Sequence, residues 1–231
     1  TGVQTCALPI LAVLFSALAA DLINGYVLDG ANVWLAAAGN WLPVVFFFIV
    51  FLFIFERMLE LMQAVYQSSI TDGLTGLYNR RYFLHRLRQW IDAEIPLGVI
   101  FADIDNFKQL NDTKGHQEGD EALRRTARIA LDIAEDTGMA GRFGGEEIVL
   151  LLEGNKQKIG RTAEQLRSRV ETEAGVTVSV GWAVHKKGVS VEQLVKQADE
   201  AMYFSKRNGK NRVTEYKSGM SGGRPDHRKF D

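Results

Sequence analysis

The chain has 231 residues and a formal net charge of −1, from 27 Lys and Arg residues against 28 Asp and Glu residues. These averages hide an uneven distribution, because Asp21 and Asp29 are the only charged residues among the first 55. The single cysteine excludes an intramolecular disulfide scaffold. The near-neutral charge of the remainder argues against a general nucleic-acid binder, which needs a basic surface to release counterions.

The first 55 residues are predicted to form a membrane anchor. Residues 33–55 carry no charge, and a helix of that length spans about 35 Å, enough for a hydrocarbon core of about 30 Å. A buried helix of a soluble core is the alternative. A second candidate helix covers residues 7–28 but is interrupted by Asp21 and Asn24, and a signal peptide is the alternative there.

The distribution of basic residues predicts the orientation of this anchor. No Lys or Arg precedes Arg57, and basic residues are frequent after it. The positive-inside rule therefore places the rest of the chain in the cytoplasm, at the inner membrane. Because the chain begins with Thr1 rather than methionine, we expect further sequence upstream, with room for more membrane helices.

Residues 56–69 are predicted to form a helical stalk. They contain no Gly or Pro, and their apolar residues recur at spacings of three and four: Met58, Leu61, Met62, Val65 and Tyr66. A parallel coiled coil that joins two copies of the chain fits this pattern, and so does a helix that packs on its own domain.

Residues 70–216 are predicted to form one α/β domain, a sandwich around a central sheet. Helical patterns lie near 79–93, 106–112, 117–134, 157–172 and 190–207, and strand patterns at 97–103, on both sides of Gly144-Gly145, at 176–183 and at 212–216. Residues 217–231 are rich in Gly and Ser and are predicted to be a flexible tail.

The triplet Asp103-Ile104-Asp105 ends a buried strand, where α/β proteins commonly bind ligands. Alternation directs Asp103 and Asp105 to one face of the strand. Two close carboxylates repel each other unless a cation lies between them, and hard oxygen ligands favour magnesium. The triplet by itself is also compatible with solvated acids at a strand end.

A second motif runs from Arg142 to Ile148 and contains Gly144-Gly145-Glu146-Glu147. The two glycines allow a tight hairpin and a close approach of a ligand to the backbone. Because neighbouring strand residues point to opposite faces, both glutamates can serve one site only if the turn twists them. A surface hairpin with solvated acids is the alternative.

The segment between these motifs carries groups suited to a nucleotide. Asn111 and Asp120 could read the edge of a guanine, and Lys108 could balance phosphate charge. Spacing alone does not require these roles, and His116 by itself is typical of a loop.

Taken together, the motifs closely resemble those of the GGDEF-domain diguanylate cyclases. The resemblance covers residues 70–216 and rests on five segments in order: 72–81 (DGLTGLYNRR), 103–120, 144–148 (GGEEI), 179–181 (SVG) and 198–203 (ADEAMY). It implies a ferredoxin-like, nucleotidyl-cyclase-type palm that binds one GTP. Two such domains, joined as a homodimer through stalk and catalytic domains, would condense two GTP into cyclic di-GMP.

The resemblance also implies roles for individual residues. Magnesium, with manganese as an alternative, would be held by Asp103, the carbonyl of Ile104, Glu146 and Glu147. Glu146 would also be the base that activates the attacking 3′-hydroxyl, and Lys108 would stabilise phosphate charge. The remaining substrate-binding residues would be Phe107, Asn111, His116, Asp120, Gly144, Gly145, Lys206 and Lys210, the two lysines reaching the triphosphate.

Two departures from the family pattern have consequences. Ile148 replaces the usual Phe after the second acid, and we expect little loss of chemistry because both are apolar. Residues 135–138 read Glu-Asp-Thr-Gly where many members have an Arg-x-x-Asp product-inhibition motif, so feedback by cyclic di-GMP at that site should be absent.

Two other functions remain open from the sequence. A catalytically inactive module that binds GTP or cyclic di-GMP usually lacks acids at the turn or at Asp103, and both are present here. A different nucleotide cyclase on the same palm is the third hypothesis.

Overall fold

The computed structural model describes residues 33–220. The helices are α1 (Val33–Ile70), α2 (Arg80–Asp92), α3 (Phe107–Lys114), α4 (His116–Ala134), α5 (Lys156–Arg169) and α6 (Val191–Arg207), and a π-helical segment, Val170–Ala174, follows α5. The strands are β1 (Tyr78–Asn79), β2 (Leu97–Ile104), β3 (Gly138–Gly144), β4 (Glu147–Glu153), β5 (Val178–Val184) and β6 (Arg212–Glu215). The chain divides between Tyr66 and Gln67 into two units, of which the second contains all six strands.

The strands form one mixed sheet in the order β1-β3-β4-β2-β5-β6. The outer pairs β1–β3 and β5–β6 are parallel, and the three inner pairs are antiparallel. Strands β2 to β5 and the helices between them follow the βαββαβ order of a ferredoxin-like fold. The predicted α/β sandwich around one central sheet is therefore confirmed.

Helices cover both faces of the sheet, so the central strand β2 is buried along its whole length. Ile100, Ala102 and Ile104 pack into a core that includes residues of α4 and α5. Val99 and Phe101 point the other way, into a core with residues of α2 and α6. This double coverage explains the continuous apolar run of β2 and leaves its carboxyl end as the place for polar residues.

The helix and strand positions predicted after residue 70 agree with the structure to within a few residues. Strand β1 was not predicted, because it has two residues and depends on pairing with Gly141 and Arg142 of β3, which are distant in sequence. Helices α3 and α4 are separated by Gly115 alone, whose φ of +85° is unfavourable for residues with a Cβ.

Helix α1 runs without a break through both the predicted membrane segment, 33–55, and the predicted stalk, 56–69. Its large side chains from Val45 to Phe55 are mostly exposed. Across residues 33–220, none of the helices combines the length and the hydropathy that crossing a membrane requires. The membrane anchor stays a prediction, and the candidate helix at 7–28 and the end of the predicted tail lie outside the described residues.

Helix α6 lies directly against β5, and Gly181 is the point of contact. A Cβ at this position would be 1.9 Å from the backbone nitrogen of Met202 and 2.3 Å from the carbonyl oxygen of Ala198. Both atoms belong to the helix backbone and cannot rotate away. Glycine at this position therefore sets the distance between α6 and the sheet.

We predict that Gly181→Ala destabilises the domain by about 1–3 kcal/mol or more, because the added methyl group has to push α6 off the sheet. Thermal and urea unfolding of the full chain measure the change. Gly73→Ala is the matched control, since a Cβ there has no neighbour within 4 Å. Equal stability of the two variants would contradict the close packing of α6 on β5.

Candidate active site

The centre of the candidate site is Asp103 at the end of β2. This residue is 1% exposed and lies in register between Glu147 of β4 and Ser179 of β5. Glu147 is itself buried. Two acidic residues directly opposite each other on neighbouring strands repel, so the arrangement needs a compensating positive charge.

Lys206 of α6 supplies a positive charge at this point. Its Nζ lies 2.6 Å from Oδ2 of Asp103 as an ion pair, yet neither oxygen of Asp103 accepts a hydrogen bond of normal geometry. Burial raises the pKa of Asp103 to about 7; Lys206 opposes this shift, and Glu146 and Glu147 reinforce it. A buried carboxylate with unused lone pairs, flanked by two further acids, is a donor set that suits a hard divalent cation.

The Gly-Gly-Glu-Glu segment forms the turn between β3 and β4, and a register shift between Arg142 and Gly144 marks a β-bulge there. The bulge supplies the irregularity that adjacent glutamates need in order to serve one site. The carbonyl of Glu146 accepts a 3.3 Å hydrogen bond from the Ile104 amide, which joins the turn to the end of β2. Glu146 is half-buried, whereas Glu147 is 3% exposed.

Gly144 leaves room for the Glu147 side chain. A Cβ on Gly144 would lie 2.7 Å from Oε2 of Glu147, so a larger residue would displace that carboxylate. Gly145 is exposed and has no neighbour within 4 Å of such a Cβ, which leaves its outer side open to a ligand. The two glycines of the motif therefore have different roles.

Arg142 joins the turn to the segment that follows α1. Its Nε and Nη2 donate to the carbonyl oxygen of Gly145 at 3.0 and 2.7 Å, and its Nη1 donates to both carboxylate oxygens of Asp72 at 2.9 and 3.1 Å. Thr75 also donates to Asp72, through its backbone amide and its hydroxyl. These contacts fix the turn from outside the sheet.

Helices α3 and α4 meet beside the end of β2, with Gly119 at the contact. A Cβ on Gly119 would be 1.9 Å from Oδ1 of Asn111 and 3.3 Å from the ring of Phe107. Oδ1 of Asn111 is buried and has no hydrogen-bond partner. The side chain of Asn111, which is predicted to bind guanine, therefore lies against Gly119, and its oxygen is an acceptor without a partner.

The other predicted residues divide into two groups. Lys206 reaches Asp103, and the ammonium group of Lys210 binds Oδ1 of Asn106, the residue before α3. Lys108 and His116 are exposed and Asp120 is half-exposed. The structure thus brings together the acids, the turn and both lysines of α6 and its following loop, whereas the residues predicted to bind the nucleoside lie at the α3–α4 junction.

The metal ligands expected from the sequence are close in the fold but are not arranged as a ready-made cage. Among residues 33–220, no group of three or more His, Cys, Asp or Glu side chains surrounds a metal position. The oxygen donors and the unused lone pairs of Asp103 nevertheless fit magnesium in kind.

Sequence reasoning assigned no role to Asp72 or Arg142 and treated Asp105 as a partner of Asp103. In the structure, β2 ends at Ile104, and the Asp105 carboxylate accepts hydrogen bonds from Thr177, Ser179 and Asn211. A charged residue within an otherwise apolar strand was the available signal for Arg142. Asp105 gave no comparable signal, because its partners lie 72 to 106 residues away.

The sequence is similar to those of known diguanylate cyclases. Residues 69–212 match the family described as diguanylate cyclase, GGDEF domain. The chain is 35% identical over 176 residues to diguanylate cyclase DosC of Escherichia coli K12, with coverage of 70% of this chain and 38% of DosC. It is 34% identical over 170 residues to diguanylate cyclase VdcA of Vibrio cholerae, with coverage of 68% and 50%. The chain thus spans half or less of these relatives' length.

Solved structures with the same fold include two with related sequences. The coiled coil and GGDEF domain of DgcB from Caulobacter crescentus, in complex with c-di-GMP, is 31% identical with a TM-score of 0.69, covering 74% of this chain and 98% of that one. The active GGEEF domain of a diguanylate cyclase from Vibrio cholerae is 33% identical with a TM-score of 0.56, covering 61% and 98%.

We predict that the raised pKa of Asp103 makes the metal-free protein less stable as the pH rises. Because the folded-state pKa of about 7 exceeds the ordinary value of 3.8, the folded state binds this proton more tightly than the unfolded state. The contribution to stability is full below about pH 3.8 and is lost as the pH rises through about 7.

Thermal unfolding in EDTA between pH 5.5 and 8 measures this effect as the difference between wild type and Asp103→Asn, whose amide does not titrate. The wild type should lose stability relative to the variant across this range, and magnesium should restore it at pH 8. Parallel curves for the two proteins would contradict the raised pKa.

Proposed function

The chain belongs to the GGDEF-domain diguanylate cyclase family, and we propose that it condenses two molecules of GTP into cyclic di-GMP with release of two diphosphates. The observation that carries the proposal is the buried carboxylate of Asp103, whose one charged partner among the described residues is Lys206 and which lies beside an intact Gly-Gly-Glu-Glu turn. Burying this carboxylate close to Glu146 and Glu147 is costly even with Lys206 beside it, and a bound cation would offset that cost.

The metal of this reaction would be magnesium, or manganese as an alternative, held by Asp103, the Ile104 carbonyl, Glu146 and Glu147. When bound, it supplies Lewis-acid stabilisation of phosphate charge. The protein's own contribution is to hold acidic oxygens at the end of a rigid, fully buried strand. Lys206 balances the charge of Asp103 in the metal-free protein.

Glu146 is the residue best placed to act as general base. It precedes β4 and is half-buried, so its carboxylate is more accessible to a substrate hydroxyl than that of Glu147. As the base, it accepts the proton of the 3′-hydroxyl while that oxygen attacks the α-phosphate of the other GTP, and diphosphate leaves. The two glycines before it have no side chains, so the reacting phosphate can approach the backbone of the turn closely.

Residues on either side of β2 would bind the phosphates and the base of GTP. Lys108, Lys206 and Lys210 provide three positive charges for the triphosphate. Asn111 and Asp120 would bind the guanine edge, with His116, Phe107 and the backbone of Gly144 and Gly145 completing the nucleoside site. The unused Oδ1 of Asn111 supports this assignment, since a buried acceptor without a partner is available to an N–H donor of the ligand.

The proposed reaction requires two sites, because each catalytic domain holds one GTP and the product contains two nucleotides. We therefore propose a homodimer in which the stalk, residues 56–69, brings two catalytic domains together. The continuous helix of this segment, with exposed Leu61, Met62 and Val65, supports the proposal. The structure of DgcB, described as a coiled coil and GGDEF domain, offers a parallel.

We predict that the full chain, incubated with GTP and magnesium, forms cyclic di-GMP that mass spectrometry identifies, at a rate per chain that rises with protein concentration. Glu146→Ala should lower the rate about 100-fold or more, because the general base is lost. Asp103→Ala should lower the rate and raise the magnesium concentration that gives the half-maximal rate, because a metal ligand is lost. Glu153→Ala, at the exposed end of β4, is the matched control and should retain the wild-type rate.

The enzymatic activity, the identity of the product and the role of Glu146 would each be contradicted by a different result. A wild-type protein that binds GTP but forms no cyclic di-GMP would favour the inactive binding module over the enzyme. A different cyclic nucleotide as product would point to another nucleotide cyclase. Activity that survives Glu146→Ala would remove the role of base from Glu146 while leaving the overall reaction in place.

We further propose that residues 33–55 anchor the protein in the inner membrane, with the catalytic domain in the cytoplasm. The support is the absence of charge in this segment and the exposure of its large apolar side chains from Val45 to Phe55. The basic residues that begin at Arg57 support the cytoplasmic side for the remainder.

Membrane fractionation tests this anchor. The full chain should stay in the membrane pellet during alkaline carbonate extraction and dissolve only in detergent. A double variant, I49R/F51R, should move to the soluble fraction, because charges at the centre of a span are costly. Release of the wild-type chain by carbonate would show that the segment does not anchor the protein.

A further inference from the structure

Asp105, two residues after the proposed metal ligand Asp103, is buried, and each of its carboxylate oxygens accepts hydrogen bonds from neutral donors. Its Oδ2 accepts hydrogen bonds from the Thr177 hydroxyl at 2.8 Å and from the Asn211 backbone amide at 3.0 Å, and its Oδ1 accepts one from the Ser179 hydroxyl at 2.7 Å. It forms no ion pair with any residue in the described part of the chain. These three bonds satisfy the carboxylate without a metal.

The Asn211 contact is important because of the backbone around it. Gly209, Lys210 and Asn211 have φ values of +110°, +60° and +42° in the loop between α6 and β6. Successive left-handed residues are unfavourable for side chains with a Cβ, so such a loop persists only when its surroundings hold it.

Asn211 is held at both its backbone and its side chain. Asp105 binds its backbone amide, while its Oδ1 accepts from Arg167 at 2.9 Å and its Nδ2 donates to Glu171 at 2.8 Å. The loop is thereby fixed to the end of β2 and to the helical segment around α5. Lys210 is the residue next to this attachment point.

The fixed loop determines where the Lys210 ammonium group lies. That group binds Oδ1 of Asn106, the residue directly after Asp105. Asp105 and Asn106 thus hold the two neighbouring loop residues, Asn211 and Lys210, beside the carboxyl end of β2. Release of the Asn211 amide would let the loop relax toward right-handed backbone angles and carry Lys210 away from this position.

We propose that Asp105 is a positioning residue for substrate binding and not a metal ligand: through the Asn211 amide it holds the left-handed loop that presents Lys210 to the triphosphate. The inference rests on the proposed function, because it assumes that GTP is the ligand that Lys210 contacts. It distinguishes the two acids of the Asp-Ile-Asp triplet, of which only Asp103 would serve the metal.

Two substitutions at Asp105 separate positioning from metal binding. Asp105→Asn keeps an oxygen for the Asn211 amide and can donate its amino group to the Ser179 hydroxyl, which can act as an acceptor. It should therefore retain GTP binding to within about threefold. If Asp105 were a metal ligand, the same substitution would remove a negative charge from the metal site. Asp105→Ala leaves the Asn211 amide without a partner and should weaken GTP binding about tenfold.

The binding experiment uses the full chain and the fluorescent analogue 2′(3′)-methylanthraniloyl-GTP, with calcium in place of magnesium to suppress turnover. Lys210→Ala and the double variant Asp105→Ala/Lys210→Ala complete a thermodynamic cycle. If Asp105 acts through Lys210, the double variant binds no more weakly than Lys210→Ala. Additive losses would overturn the proposal.

Metal dependence provides the second readout. The magnesium concentration that half-saturates cyclic di-GMP formation should be unchanged in Asp105→Ala and raised in Asp103→Ala. A similar increase in both variants would identify Asp105 as a metal ligand and overturn the proposal. Ser179→Ala, which removes the donor to Oδ1 of Asp105 and leaves the contact of Oδ2 with the Asn211 amide, is the matched control and should bind the analogue to within about twofold of wild type.

Amide hydrogen exchange keeps the inference testable if the protein proves not to be a diguanylate cyclase. The Asn211 amide should exchange at least about tenfold faster in Asp105→Ala than in wild type, with Asp105→Asn close to wild type. This measurement needs no nucleotide and no turnover. Unchanged protection of the Asn211 amide in Asp105→Ala would overturn the proposal, and Asp105→Leu, which has a similar shape but no acceptor, repeats the test if the alanine variant does not fold.

Discussion

The arrangement of the catalytic domain depends on a carboxylate that is buried at the end of its central strand. Asp103 is 1% exposed, faces Glu147 across the neighbouring strand and accepts no hydrogen bond of normal geometry. Such a group is unfavourable unless a positive charge compensates it, and Lys206 of α6 provides that charge. The packing of α6 on Gly181 is what brings Lys206 within reach, so a packing constraint on β5 sets the electrostatics at the end of β2.

Two acids only two residues apart have opposite environments in this domain. Asp103 has unused lone pairs beside other carboxylates, whereas Asp105 has its oxygens occupied by two hydroxyl groups and a backbone amide. The first environment favours a divalent cation, and the second makes one unnecessary. Their difference arises because β2 ends at Ile104, beyond which the chain turns toward Thr177 and the loop at Asn211.

The turn that carries Glu146 is fixed from two directions. Inside the sheet, its carbonyl accepts from the Ile104 amide, and on the outer side Arg142 bridges the Gly145 carbonyl and Asp72. Asp72 lies two residues beyond the end of α1. A displacement of Asp72 would therefore act through one guanidinium group on the turn that carries Glu146.

Apart from the two-residue strand β1, the sequence by itself determined the order of helices and strands after residue 70, because periodicity and turn residues are local properties. It also located the acids, the turn and the lysines through motifs that are short segments of chain. Only the tertiary structure decided which of these groups meet: the ion pair of Lys206 with Asp103, the bridge from Arg142 to Asp72 and the bond from Asn211 to Asp105 join residues 70 to 106 positions apart. Contacts of that range follow from how α6, the residues around β6 and the segment before β1 pack against the sheet, and no local pattern records that packing.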